Sequence, residues 1–168
     1  RVWIGTERGV AVAPSGLAQS DIVVPDMLAA LGDDAIEALY EDQAGHVLIG
    51  TRNRGMARVT HDGLVTPQLL PDASVGVRTF YQDEKGFLFV GSMGSGLFIQ
   101  SAEGQSLISS ERGLPDDAIW SILPVGDSLW MCSDRGIFSV RKSDLMGSAS
   151  GEVSELPIQA RIGTQQGM

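Results

Sequence analysis

The sequence predicts an all-β fold, a series of β-propeller blades each made of four antiparallel strands. Three observations carry that expectation. A five-residue apolar motif recurs as Val2-Trp3-Ile4-Gly5-Thr6, Val47-Leu48-Ile49-Gly50-Thr51, Leu88-Phe89-Val90-Gly91-Ser92 and Leu129-Trp130-Met131-Cys132-Ser133, so that its fourth position falls at 5, 50, 91 and 132. Each motif is apolar at three successive positions, the pattern of a strand buried on both faces. The repeat length of 41 to 45 residues accommodates four short strands, as a propeller blade requires. Stacked helix pairs would impose a 3.6-residue period, and no convincing one is present.

Each motif leads into a polar turn ending in glycine: Glu7-Arg8-Gly9, Arg52-Asn53-Arg54-Gly55, Met93-Gly94-Ser95-Gly96 and Asp134-Arg135-Gly136. A further apolar run follows each turn, from Val10, Met56, Leu97 and Ile137. Upstream of the last three motifs lies another strand, over 36–40, 77–81 and 119–123. Asp42-Gln43-Ala44-Gly45 and Asp83-Glu84-Lys85-Gly86 read as hairpin loops in which the aspartate side chain caps the turn and glycine takes the left-handed position. Val125-Gly126-Asp127-Ser128 reads as the same loop shortened by one residue. A glycine within a strand signals close approach of a neighbour, and the expected neighbours of Gly5, Gly50 and Gly91 are the aromatics Trp3, Phe89 and Trp130. Cys132 takes the glycine position in the fourth motif and reads as a small, buried, inert residue.

These segments divide the chain into blades at 1–32 (lacking its first strand), 33–74, 75–115 and 116–168, the last with an irregular tail. Residues 162–168 read as a strand and turn. The expected architecture is about four blades, two of them incomplete, of a larger seven-bladed-type ring, completed by further blades of the same protein or by a second copy.

Composition narrows the function classes. At 43% hydrophobic residues and a mean hydropathy of +0.07, the 168-residue chain is too apolar for disorder. No run approaches the roughly 18 apolar residues of a membrane helix. The net charge of −9 disfavours nucleic acid as a partner. One cysteine and two histidines exclude an internal disulfide and a Cys- or His-rich metal cluster. No cofactor is expected. Ten of the twelve basic residues are Arg, the side chain suited to bidentate contacts. The 21 glycines, about 12% against a usual 7%, match a turn and a strand marker recurring in each blade.

The segments Asp42-Gln-Ala-Gly-His-Val-Leu-Ile-Gly-Thr-Arg-Asn-Arg-Gly-Met-Ala-Arg58, Gly113-Leu-Pro-Asp-Asp-Ala-Ile-Trp-Ser-Ile122 and Leu129-Trp-Met-Cys-Ser-Asp-Arg-Gly-Ile-Phe-Ser-Val140 resemble the two-component regulator propeller repeat. The stretch from Arg141 to Met168 is similar to the way such sensors run on towards their closing blade. The resemblance implies a periplasmic propeller that feeds a histidine kinase or diguanylate cyclase through a membrane helix, neither of which lies in this sequence.

In such blades the loops joining second to third strands, and those joining one blade to the next, gather on one rim. That rim would carry Arg8, Arg52, Arg54, Asp134 and Arg135 from the turns, with Asp33-Asp34 and Asp116-Asp117 from the inter-blade loops. Arginines among carboxylates suit an anionic or hydroxyl-rich small molecule or oligosaccharide, for instance an acidic sugar. Alternatively, Arg54 and Arg135 pair with carboxylates of an adjoining blade, and Asp33 and Asp116 cap turns. Trp120 either faces the central channel as a stacking surface or is buried between blades. The candidate ligand set is Arg8, Asp34, Arg52, Arg54, Asp117, Trp120, Asp134 and Arg135. Thr6, Ser92 and Ser133 read as turn residues that satisfy backbone groups, and His61 as a solvated turn residue. The glycines of 91–96 precede a strand and lack the lysine of a phosphate loop. The favoured function is a non-enzymatic sensing module. A catalytic propeller, lyase or glycoside hydrolase-like, and a protein-interaction scaffold are the alternatives.

Overall fold

The computed structural model describes residues 1–13, 32–68, 70, 72 and 74–163. The part of the expected terminal strand and turn beyond Gly163 lies outside them. The strands are β1 (Val2–Thr6), β2 (Gly9–Ala13), β3 (Ile36–Glu41), β4 (Val47–Thr51), β5 (Met56–Val59), β6 (Val65–Gln68), β7 (Val77–Gln82), β8 (Leu88–Ser92), β9 (Leu97–Ser101), β10 (Gly104–Ile108), β11 (Ile119–Val125), β12 (Ser128–Ser133), β13 (Gly136–Arg141) and β14 (Ala160–Ile162). β3–β6, β7–β10 and β11–β14 each form a four-stranded antiparallel meander in chain order, the sheet of a propeller blade, and β1 pairs with β2. The chain divides into two compact units, Arg1–Val77 and Arg78–Met168.

Within the first unit, Ile49, Ala57 and Val59 pack on Val10 of β2, with Trp3 and Ile36 at the margin. Within the second, Phe89, Leu97, Ile99 and Ile108 of one sheet interdigitate with Leu129, Met131, Phe138 and Val140 of the next. Burial on both faces holds for β4 from Leu48 to Thr51 and for every residue of β8. It fails for β1 and β12. In β12, Leu129 and Met131 are buried while Trp130 and Cys132 are only half-buried. Successive strand residues face opposite ways, and only the Leu129 and Met131 face packs into the core shared with β8–β10. Cys132 is therefore not the fully buried residue expected.

The marker glycines do make room for a neighbour, but not for an aromatic. A Cβ on Gly5 would lie 2.8 Å from Cγ2 of Ile36, the leading residue of β3, and one on Gly50 would lie 2.8 Å from Cγ1 of Val77, the leading residue of β7. On Gly91 it would lie 2.5 Å from Cγ2 of Thr79 in β7 and 2.9 Å from both Cγ2 and the carbonyl oxygen of Ile119, the leading residue of β11. Each marker thus admits the β-branched residue that begins the next first strand.

The two Asp-initiated hairpins form as expected. Asp42 Oδ1 accepts the amides of Ala44 (3.0 Å) and His46 (2.8 Å), and Asp83 Oδ1 accepts those of Lys85 and Phe87 (2.9 Å each). The third hairpin is a different turn. Only Gly126 and Asp127 separate β11 from β12, with Gly126 at φ 60°, so glycine rather than a capping carboxylate makes the reversal. Between β13 and β14 the chain forms a helix, α1 (Lys142–Ser150), which the sequence did not announce. It is short and lacks an apolar stripe: Leu145 and Ser148 are its buried residues. Tertiary packing, not periodicity, holds it.

Two outcomes are expected. Gly91→Ala forces a Cβ against the Ile119 carbonyl and destabilises the fold by about 1–3 kcal/mol, read by chemical denaturation; a change below about 0.5 kcal/mol would contradict the close approach. At Asp42, burial raises the carboxyl, but the amide and ring hydrogen bonds of His46, its charge, and the Ala44 amide outweigh that and hold it below the usual range. Its stabilisation is therefore present above about pH 4 and is lost as the pH falls through the lowered native value. Asp42→Ala costs about 1–3 kcal/mol at neutral pH, and its melting curve converges on that of the parent chain under acid; a pH-independent gap would contradict the assignment.

Candidate functional site

A hydroxyl closes each turn between second and third strands. Thr6, Thr51, Ser92 and Ser133 donate to the carbonyls of Gly9 (2.8 Å), Gly55 (2.9 Å), Gly96 (2.8 Å) and Gly136 (3.1 Å). Each also accepts an amide inside its own turn, from Arg8, Arg54, Ser95 and Arg135. The turns come in two lengths, the hydroxyl reaching three residues on at Thr6 and Ser133 and four on at Thr51 and Ser92, and the exposed side chains of Arg8, Arg52, Arg54 and Arg135 project from three of them.

In the first unit the inter-blade loop and the β4–β5 turn are tied together. Asp34 accepts the Asn53 amide (2.7 Å), Asn53 Nδ2 (2.9 Å) and the Ala35 amide (3.0 Å). Burial alone would raise the Asp34 carboxyl, but these bonds outweigh it and lower its pKa. Asp34 is thus an anchoring carboxylate. Arg52 Nε donates to Glu37 Oε1 at 2.6 Å, and the Glu37 side chain is only 9% exposed. Arg54 lies against Gly32, where a Cβ would sit 2.6 Å from its Nη1.

The second unit repeats the arrangement with other chemistry. Asp116 accepts the amides of Arg135 (3.0 Å) and Ala118 (3.2 Å), the capping role allowed for it. The Arg135 guanidinium reaches the Pro115 carbonyl rather than a carboxylate. Asp117 turns away to Ser110, accepting its amide and its hydroxyl at 2.6 Å each. Trp120 is not buried between blades. It is 39% exposed, its Nε1 donates to Asp134 Oδ1 at 2.7 Å, and the Arg78 guanidinium lies 4.4 Å from the ring centroid.

Trp120 stands out because of the backbone beneath it. Ile119 pairs with Ser133 and Ser121 with Cys132, so Trp120 is the extra residue of a β-bulge. Glu37 is the extra residue of the matching bulge in β3. Bulges re-aim side chains, and in both sheets the re-aimed residue meets the first residue of its own blade's turn, Glu37 with Arg52 and Trp120 with Asp134. Arg78 occupies the same repeat position in β7. Sequence reasoning passed over Glu37 and Arg78, although one signal marked them: the residue after the leading β-branched residue reads Glu, Arg and Trp in three otherwise matched repeats.

No family model and no curated protein matches the chain in sequence. Among solved structures, the extracellular domain of BT4673 from B. thetaiotaomicron, assigned to a hybrid two-component system, is similar over 80% of this chain, with a TM-score of 0.58 and 18% identity. PorZ of Porphyromonas gingivalis, a bacterial surface component of the type-IX secretion system, is similar over 86% (TM-score 0.63, 18% identity). Virginiamycin B lyase from Staphylococcus aureus is similar over 95% (TM-score 0.65, 13% identity). The chain spans 19%, 26% and 50% of those chains, respectively. The structures it resembles thus include the extracellular domain of a two-component sensor, the kind of protein whose propeller repeat its sequence resembles, and what the chain shares with all three is the fold.

Proposed function

We propose that this chain supplies blades to a non-enzymatic, extracytoplasmic ligand-sensing propeller of a bacterial membrane signalling protein, a hybrid sensor kinase or a diguanylate cyclase. The observation that carries the reading is the Arg78–Trp120–Asp134 cluster. An exposed indole is held at its edge by a carboxylate and on one face by a guanidinium, so an aromatic surface and a cation are pre-positioned together. Such a surface suits an anionic, hydroxyl-rich ligand, for which an acidic oligosaccharide is the model. Carboxylates of the same unit support binding over catalysis: Asp116 is engaged by the backbone amides of Arg135 and Ala118, and Asp117 by Ser110. The likeness to the BT4673 extracellular domain supports the same reading and the extracytoplasmic location.

The second reading is a catalytic propeller, supported by the likeness to virginiamycin B lyase. The structure compared is an inactive variant of that enzyme in which a histidine is replaced. In this chain His46 is hydrogen-bonded to Asp42 within a hairpin loop, and His61 lies in an exposed turn beside it. Both stand at the other end of the strands from the rim turns.

Titration of the chain with oligogalacturonate separates the readings. The sensor reading expects saturable binding without turnover, weakened about tenfold or more by Trp120→Ala or Arg78→Ala, the loss of one good desolvated contact. Cleavage of the ligand, or binding indifferent to both substitutions, would overturn it.

A further inference from the structure

The 18-residue connection between β13 and β14 departs from the repeat. The equivalent connections elsewhere, 60–64 and 102–103, are plain short turns. Here the insertion folds into α1, held on one side by buried Leu145 and Leu156 and by the Arg112 Nη1 bond to the Ser148 carbonyl. Its other side closes a cavity of about 680 Å³ against the β7–β8 hairpin loop, a volume in the range of small-molecule sites. The cavity opens at the hairpin end of the strands, opposite the rim turns.

Both lysines of the sequence, Lys85 and Lys142, line this cavity. Neither lies within ion-pair distance of a carboxylate among the described residues. The half-buried Lys142 ammonium contacts Tyr81, through one long bond to the hydroxyl (3.4 Å) and across the ring face, which leaves donors available. Phe87 and Met146 supply half-buried apolar surface beside it. Four carboxylates also line the space, and their positions limit what it accepts. Asp83 is engaged by two amides of its own loop, Asp127 accepts the Ser128 hydroxyl, and Glu84 and Glu152 are exposed. The lining as a whole carries more negative than positive charge, which penalises each negative charge on a ligand and so disfavours phosphate more than a monoanion. A single anionic group at Lys142 with an apolar body on Phe87 and Met146 satisfies both constraints.

We propose that this cavity is a second binding site, separate from the rim, for a small amphipathic monocarboxylate with an aromatic or branched body. The probe is phenylacetate, titrated into the full chain and followed by NMR at Tyr81, with hexylammonium and inorganic phosphate as counter-probes. The expected result is saturable binding with a Kd of about 1 mM or tighter, weakened roughly tenfold by Lys142→Met and unchanged by Trp120→Ala. Lys85→Met, in an exposed loop remote from the core, gives a weakening that does not depend on the packing of α1. The proposal is overturned if phenylacetate does not saturate, if both lysine substitutions leave its affinity unchanged, or if hexylammonium or phosphate binds as tightly.

Discussion

The structure depends on a steric constraint at the fourth position of three of the four repeated strands, the fourth carrying Cys132 there. Gly5, Gly50 and Gly91 have no Cβ, and the leading residues Ile36, Val77 and Ile119 occupy the space where one would sit. This approach sets the start of each following first strand, and with it the bulge, one residue later in β3 and β11, that carries Glu37 and Trp120. A methyl group at Gly50 or Gly91 would displace backbone as well as side chains, because the Val77 and Ile119 carbonyl oxygens would lie 2.9 Å from it. The close packing at the marker and the bulge that re-aims a side chain are therefore linked through adjacent residues.

A uniform scaffold carries variable chemistry. The Thr and Ser hydroxyls close the turns in two lengths, whereas the Asp carboxylates of the two longer hairpins recur with nearly the same geometry. The bulge residues and the first turn residues do not recur: Glu37 meets Arg52 as an ion pair, whereas Trp120 meets Asp134 as a hydrogen bond under a guanidinium. Such a division lets the exposed chemistry change from blade to blade while the sheets stay the same. The insertion bearing α1 is the other departure from uniformity, and it too makes a concave, chemically distinctive surface.

The aspartates show why residue type alone does not assign a role. Asp33-Asp34 and Asp116-Asp117 look alike in sequence. In the structure, Asp34 clamps a turn, Asp116 caps one in the same manner, and Asp117 is drawn away to Ser110. Asp134 alone of the candidate carboxylates contacts an exposed aromatic. An acidic pair offers several acceptors, and which amides reach them depends on backbone positions up to 19 residues away.

By itself the sequence determined the blade repeat, the strand order, the Asp-capped hairpins and the hydroxyl-closed turns, because each rests on local chemistry repeated at a fixed period. Tertiary structure decided what occupies the space beside each marker glycine, that Trp120 is exposed rather than buried, that Arg78 lies over its ring and that Glu37 pairs with Arg52. It also decided which face of β12 is covered and that residues 142–150 form a helix without an amphipathic pattern. These features arise between strands distant in the chain, where register, a single bulge residue and the packing of one sheet on the next set positions that no local pattern encodes.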